Sequence, residues 1–394
     1  MQIYLLFLSL WLRGAIRQNV GFLFSNHLLY VCLETPVELI VGEFRCFVFG
    51  RKGRDIFGGA RIFLLILPRL KSTFHMPAPV PYYDFSSFLA RYFRGKVQKL
   101  SVDAGFTCPN RDGRVGRGGC TYCNNRSFRP DYCRELPTVT EQLEAGKRFF
   151  SRKYPHMQYL AYFQAYTSTY ADLPRLRALY EEALAVPGVV GLVVSTRPDC
   201  VSNDLLDYMS DLSRRMFVLM EYGVESVEDT TLHRICRGHD FACAAEAVRR
   251  TAERGVKVGA HVILGLPGEG RETILRQAAV LSELPLDVLK MHQLQIVRGT
   301  FMAREYEERP ADFHLFTPEE YAELVVDYLE RLRPGIAVDR FTSQSPSGLL
   351  IAPDWGWKNH RFAELVKRRL CERRTWQGRR WASPMEVPHI GEDE

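Results

Sequence analysis

From Val97 onward the apolar positions of the chain follow two alternating rhythms. Short, nearly continuous apolar runs rich in β-branched and aromatic residues predict strands at Val97–Asp103, Gln158–Ala165, Val189–Ser195, Met216–Gly223, Val256–Leu264 and Val288–Gln295. Between them, apolar residues recurring every three or four positions predict helices at Thr138–Lys153, Leu173–Ala185, Asn203–Arg214, Ala242–Arg254 and Arg271–Glu283. Strands that are apolar on both faces and separated by helices read as a parallel sheet covered on its outer side. Six such units in register predict a partial (β/α) barrel rather than an open doubly wound sheet. In either arrangement, reactive groups belong at the C-terminal strand ends and on the loops that follow.

The first 75 residues show no sustained rhythm of either kind. MQIYLLFLSLWL is apolar but short, and no basic segment precedes it, so it is a poor signal peptide. The uncharged stretch from Gln18 to Leu33 carries Gln18, Asn19, Asn26 and His27, and falls short of a membrane span. Met76 opens a proline-rich segment, MPAPVPYY. The expected organisation is a non-core leader over residues 1–75, or an over-extended start, then a core barrel over 76–335 and a C-terminal extension over 336–394. A peripheral membrane anchor is the competing reading of the leader.

Composition narrows the class. A chain of 394 residues with 46% hydrophobic and 25% charged residues fits a soluble globular protein of one or two domains. Ten cysteines without a signal peptide point to the reducing cytoplasm and to metal chemistry more than to disulfides. The formal net charge is +6, but residues 1–75 hold nine Lys or Arg against four acids. The rest of the chain is close to neutral, so the basic balance is poor evidence that the core binds nucleic acid.

The segment CPNRDGRVGRGGCTYC, after the first predicted strand, places Cys108, Cys120 and Cys123 on a glycine-rich loop. Three thiolates are one short of a closed structural zinc site. Iron–sulfur clusters use the same soft ligands, and a cubane held by three cysteines keeps one iron open to a further molecule. A redox pair or half a zinc knuckle remain competing readings of the CxxC, although no partner CxxC or spaced histidine pair follows. Cys133 is the one nearby cysteine that would complete a fourth position.

The chain resembles a radical S-adenosylmethionine (radical SAM) enzyme, and more closely the bacterial YhcC/YtqA-type family related to the catalytic subunit of Elongator. That family carries a stretched cysteine motif, and the eleven residues between Cys108 and Cys120 match it, as does the aromatic Tyr122 before Cys123. Further matches follow in order: YFQAYTSTY (162–170), STRPD (195–199), EYGVES (221–226), RGHD (237–240), GAHVILGLPGE (259–269) and KMHQLQIVRGT (290–300). The Gly-Gly-Glu that many members carry after the second strand is absent.

The resemblance implies a partial (β/α)6 TIM-type barrel with an α-rich C-terminal extension. It implies that Cys108, Cys120 and Cys123 bind a [4Fe–4S] cluster whose open iron takes S-adenosylmethionine, and that an electron donor such as flavodoxin or ferredoxin reduces it. Tyr122, Gln164, Ser195, Arg197 and Glu221 become the expected SAM contacts. Glu221 is expected at the end of the fourth strand, where a carboxylate would accept ribose hydroxyls, with a rim ion pair to Arg197 as the competing reading. Lys290 and His292 face one side of the sixth strand and are expected to line a substrate cavity. His261 is expected to be buried polar packing.

The Elongator relationship implies tRNA or another RNA as substrate. RFAELVKRRLCERRTWQGRRW (361–381), with eight basic residues, two acids and Trp376 and Trp381, is an RNA surface on one reading. On the other it is a charged helix packed on the barrel. WGWKNH (355–360) is expected to cap the barrel mouth. The function class that competes with the enzyme is a non-catalytic zinc or iron–sulfur nucleic-acid-binding protein.

Overall fold

The computed structural model describes residues 81–128, 130–133, 135–151 and 157–382. The readings made for the 1–75 leader lie outside the described residues. Six strands, β1 (Val97–Val102), β2 (Gln158–Phe163), β3 (Val189–Thr196), β4 (Phe217–Glu225), β5 (Lys257–Leu264) and β6 (Val288–Gln293), match the predicted ones to within two residues at each end. So do the helices α1 (Val139–Ser151), α2 (Leu173–Leu184), α3 (Asn203–Ser213), α4 (Phe241–Glu253) and α5 (Arg271–Ser282). The starts of α2, α3 and α4 are fixed by short polar side chains that accept a bond from the first helical turn: Asp172 from Arg175 N, Ser202 from Leu205 N and Asp240 from Cys243 N.

Beyond the predicted units come β7 (Ile296–Val297), α6 (Phe301–Glu308), α7 (Pro318–Arg331), β8 (Ala337–Arg340), β9 (Leu350–Ala352) and α8 (Asn359–Glu372). β8 adds a seventh parallel strand beside β6, so the sheet runs β1-β2-β3-β4-β5-β6-β8. β7 and β9 form a separate antiparallel pair. The curved sheet ends at β1 and β8, and across that seam Lys99 of β1 reaches Asp339 of β8 at 2.8 Å. Asp84 bridges to Val338, so the chain before β1 covers the β8 edge.

The core has two parts. The larger lies between the outer sheet face and the helices, and includes Leu100, Phe163, Val194, Met220, Val262 and Met291 with Tyr180, Leu206, Val248 and Tyr321. The smaller fills the barrel floor, where Leu160, Val193, Leu219, Val288 and Ala337 meet Phe88 and Leu89 of the short helix Phe85–Leu89. That apolar plug lies at the N-terminal end of the strands, opposite the loops that follow them.

Candidate functional site

The cysteine loop leaves β1 and folds back on itself. The Cys108 carbonyl accepts from Arg111 N at 2.8 Å and Asp112 N at 3.1 Å, opening the helical turn Pro109–Asp112. Val115 N and Gly116 N then return to the Pro109 carbonyl (2.8 and 3.3 Å), and Gly119 N to the Asn110 carbonyl at 2.8 Å. The long gap between Cys108 and Cys120 is therefore a closed excursion whose two ends meet. Cys123 N bonds to the Cys120 carbonyl at 3.0 Å, a tight turn that sets the last two cysteines side by side.

The segment Ile235–Asp240 is fastened to this loop. Thr121 N bonds to the Ile235 carbonyl (3.0 Å), and Asn110 Nδ2 to the Cys236 carbonyl (2.6 Å). Asn110 Nδ2 and Arg237 Nη1 both approach the Cys120 sulfur, at 3.5 and 3.6 Å. Arg237 is itself anchored by its Nη2 on the Gly223 carbonyl at 2.6 Å, while its Nε is buried without a partner. Gly238 has a left-handed φ of 77°, and a Cβ there would lie 2.7 Å from Val115, so any side chain at this position would be strained and would displace Val115. On the β2 side, Asn125 Oδ1 accepts from Tyr166 N at 2.8 Å.

β4 ends at Glu225, with a break in its register to β5 and a left-handed φ of 69°. Such bulges re-aim a side chain next to functional sites. Glu225 lies 3.6 Å from Arg237 and faces the Tyr122 side chain. Burial raises the Glu225 carboxyl above its ordinary range, although Arg237 pulls the other way. Burial and the neighbouring Cys120 push the Cys123 thiol up to about 11, against the pull of Arg111.

The donor set fits an iron–sulfur cluster. Cys108, Cys120 and Cys123 are free thiols at one strand end, and buried arginine donors point into the same region. Among the described residues, no three His, Cys, Asp or Glu side chains are gathered tightly enough to hold one metal ion. Soft thiolates serve both zinc and iron–sulfur clusters, and a cubane takes each cysteine on a separate iron. Cys133, which would complete a fourth position, is buried and donates to the Ser101 carbonyl at 3.3 Å.

The other predicted contacts divide. Gln164 stands immediately after β2, half-buried. Ser195 is buried on β3 in register with Glu221. Arg197, 2% exposed, makes a bidentate pair with Asp199 (2.9 Å each), which leaves its buried Nη1 without a partner. Burial opposes that charge and the Asp199 pair restores it, holding the guanidinium above its ordinary range.

Glu221 is not where the sequence reading put it. It is the fifth of nine residues in β4, 1% exposed, and lies inside the barrel. Lys99 reaches it at 2.6 Å, Tyr162 OH and His261 Nε2 at 2.8 Å, and Lys290 Nζ at 3.4 Å. The rim pair with Arg197 does not form either, because Arg197 is taken by Asp199. Period-2 alternation keeps Glu221 and Glu225 on one face of β4, so pattern alone does not say which one ends the strand. The signal that could have found Glu225 is the tail of EYGVES itself, four residues further on.

Glu221 anchors a charged layer above the apolar floor. Lys290 also touches Tyr162 OH at 2.5 Å, and Arg340 reaches the His292 ring at 3.1 Å. Burial opposes the Glu221 charge, but Lys290, Lys99 and His261 hold its carboxyl well below the usual carboxylate range. Burial pushes Lys290 down to about 8 despite Glu221, and burial with Lys290 pushes His261 down to about 4. Lys290 and His292 thus share the lumen face, and His261 is buried polar packing, as read from sequence.

The C-terminal basic stretch forms α8 and packs on α7. Arg369 pairs with Glu323 (3.1 Å), Arg373 with Glu323, Asp327 and Glu330 (3.1, 2.5 and 3.3 Å), and Arg380 with Glu330 (2.8 Å). Most of its charge is spent inside the protein. Trp355, expected at the barrel mouth, instead stacks on Phe362 (5.7 Å between centroids) and donates to the Phe316 carbonyl, in the outer helical layer. Trp376 remains 54% exposed.

Known proteins place this architecture. The radical SAM superfamily model matches residues 110–278, which includes Cys120 and Cys123, and the radical SAM C-terminal domain model matches 286–372. The chain is 39% identical to protein YhcC of Escherichia coli over 272 residues, covering 69% of this chain and 86% of that one. It is 34% identical to YtqA of Bacillus subtilis over 298 residues, covering 76% and 92%. The archaeal Methanocaldococcus infernus Elp3 structure shares the fold with a TM-score of 0.54 at 16% identity, covering 72% of this chain and 65% of that one. No helix among the described residues is long and apolar enough to cross a membrane. A seven-stranded parallel half-barrel with a stretched cysteine loop after its first strand, matched over most of its length by these relatives, belongs to the YhcC/YtqA-type family of the radical SAM superfamily, whose cofactors are a [4Fe–4S] cluster and S-adenosylmethionine.

Proposed function

We propose that the protein is an enzyme in which Cys108, Cys120 and Cys123 hold three irons of a [4Fe–4S] cluster and the neighbouring strand ends hold S-adenosylmethionine. The observation that carries this reading is the cysteine loop, closed by its own hydrogen bonds and pinned beside the open end of the half-barrel. When bound, the cluster supplies the electron that cleaves SAM reductively to a 5′-deoxyadenosyl radical. The protein's part is to hold and to shield. Asn110 and Arg237 direct N–H groups at the Cys120 sulfur, which orients the thiolate and stabilises added negative charge. The partnerless Nη1 of Arg197 is a donor suited to the SAM carboxylate. Tyr122, Gln164 and Ser195 complete the SAM side, and the ribose contact first expected of Glu221 passes to Glu225, which stands beside Tyr122 at the strand end. The apolar floor and its plug line the opposite end of the lumen.

Anaerobic reconstitution tests this. A brown protein with cluster-level iron that forms 5′-deoxyadenosine on reduction is the expected result. Each single Cys→Ala variant of the three should lose most of its iron and all SAM cleavage. A colourless protein carrying zinc, or a Cys108→Ala variant that keeps its iron, would overturn the reading. For the substrate, the relationship to Elongator makes tRNA the first class to test, by comparing modified nucleosides with and without the gene. An unchanged nucleoside profile turns the search to metabolites.

A further inference from the structure

Six arginines gather around the cysteine loop: Arg111, Arg114, Arg117 and Arg126 on it, and Arg298 and Arg304 around the start of α6. Residues 108–126 hold four arginines against one acid, Asp112, and 298–304 hold two against none. Arg111 is turned inward, donating to the Cys123 carbonyl at 2.6 Å. The other five are exposed, and among the described residues none of them forms an ion pair with a carboxylate. Arg114 and Arg304 lie over the rings of Tyr170 and Phe301 instead, at 5.8 and 5.5 Å.

Beside Arg304 in this collar stands Phe301, 51% exposed. Its ring packs on Gly118 so closely that a Cβ there would lie 2.8 Å away. Beside it, Cys120 and Cys123 line a cavity of about 50 Å³ together with Arg111, Thr300 and Arg304. Met302 N bonds to the Thr121 carbonyl at 2.9 Å, and Asn124 Nδ2 to the Arg298 carbonyl at 2.8 Å, so the collar is fixed rigidly to the cysteine loop.

We propose that this collar is the docking face for an acidic electron-carrier protein that delivers electrons to the cluster. The inference rests on the reading that Cys108, Cys120 and Cys123 hold that cluster. Unpaired arginines around an exposed aromatic are the charge and anchor complement of an acidic partner, and such complementarity acts chiefly on the rate of encounter. The position separates a carrier from a phosphate-rich substrate. A substrate that gives up a hydrogen atom must reach the barrel mouth, where Arg237 and Arg197 stand. A carrier need only come close to the cysteines, and the collar offers that approach beside Phe301.

The test uses the full chain with its cluster reconstituted. The quadruple charge reversal Arg114→Glu, Arg117→Glu, Arg298→Glu and Arg304→Glu is compared with the unchanged protein. Stopped-flow absorbance follows cluster reduction by photoreduced ferredoxin and, separately, by dithionite. Ferredoxin-driven reduction should slow by about tenfold or more at low salt, while iron content and dithionite-driven reduction stay the same. In the unchanged protein the ferredoxin rate should fall as salt rises, and in the charge-reversed variant it should rise, because salt then screens repulsion instead of attraction. An unchanged ferredoxin rate overturns the proposal, and so does a salt-independent rate in the unchanged protein. Loss of binding to labelled tRNA with the ferredoxin rate intact would make the collar an RNA surface and also overturn it. Absence of iron before any substitution would mark failure of the cluster reading instead.

Discussion

Two arginine-rich regions of this molecule look alike in sequence and behave oppositely in the fold. Along α8 and its tail, Arg369, Arg373 and Arg380 lie against Glu323, Asp327 and Glu330 of α7. Around the cysteine loop, Arg114, Arg117, Arg126, Arg298 and Arg304 face solvent without a carboxylate partner among the described residues. The denser basic run is therefore the more neutral surface, and the sparser one carries the free charge. A count of charges along a chain measures neither, because a field depends on what the neighbouring element places opposite each charge.

The hardest test of that contrast is Glu330→Ala. Glu330 is buried and receives Thr375 Oγ1 at 2.6 Å as well as Arg373 and Arg380. Losing these charge-assisted bonds should cost about 2–3 kcal/mol in chemical denaturation. A change near zero would mean that the α7–α8 ladder is ornamental and the contrast is false.

His261 in the lumen and His239 beside the cysteine loop extend the comparison to groups that burial holds uncharged beside paired charges. His261 is pushed down to about 4 and His239 to about 3, in both cases first by burial. Between these values and the ordinary histidine range near 6.5 the unfolded chain takes up protons that the folded chain refuses. Stability should therefore fall as pH drops from about 6.5 towards 4, by up to about 1.4 kcal/mol per histidine for each pH unit. Differential scanning calorimetry across this range checks it, and His261→Gln, which keeps a donor for Glu221, should flatten the slope. A slope unaltered by that substitution would place the acid sensitivity elsewhere.

The smallest effect is expected at the collar. Arg298→Ala and Arg304→Ala should each change stability by less than about 0.5 kcal/mol, since no ion pair is lost. A cost comparable to that of Glu330→Ala would show that the collar is structural and would break the comparison from the other side.

The barrel was largely legible in the sequence. Six strands and five helices lie within two residues of the periodic runs that predicted them, because amphipathic rhythm is a local property and caps such as Ser202 and Asp240 mark its ends. The cysteine loop was legible too, since its ligand types and spacing are read directly from the chain. β8 was not, because four residues are too few to show a period and need β6 as a partner to become a strand. Glu221 and Glu225 have the same residue type and the same strand face; only the bulge before Glu225 and the cluster of Lys99, Tyr162, His261 and Lys290 around Glu221 separate them. The sequence by itself determined which segments are strands and helices and which loop holds the three cysteines. The tertiary structure decided which charges are spent on each other and which stay free, because pairing is set by distances between residues far apart in the chain.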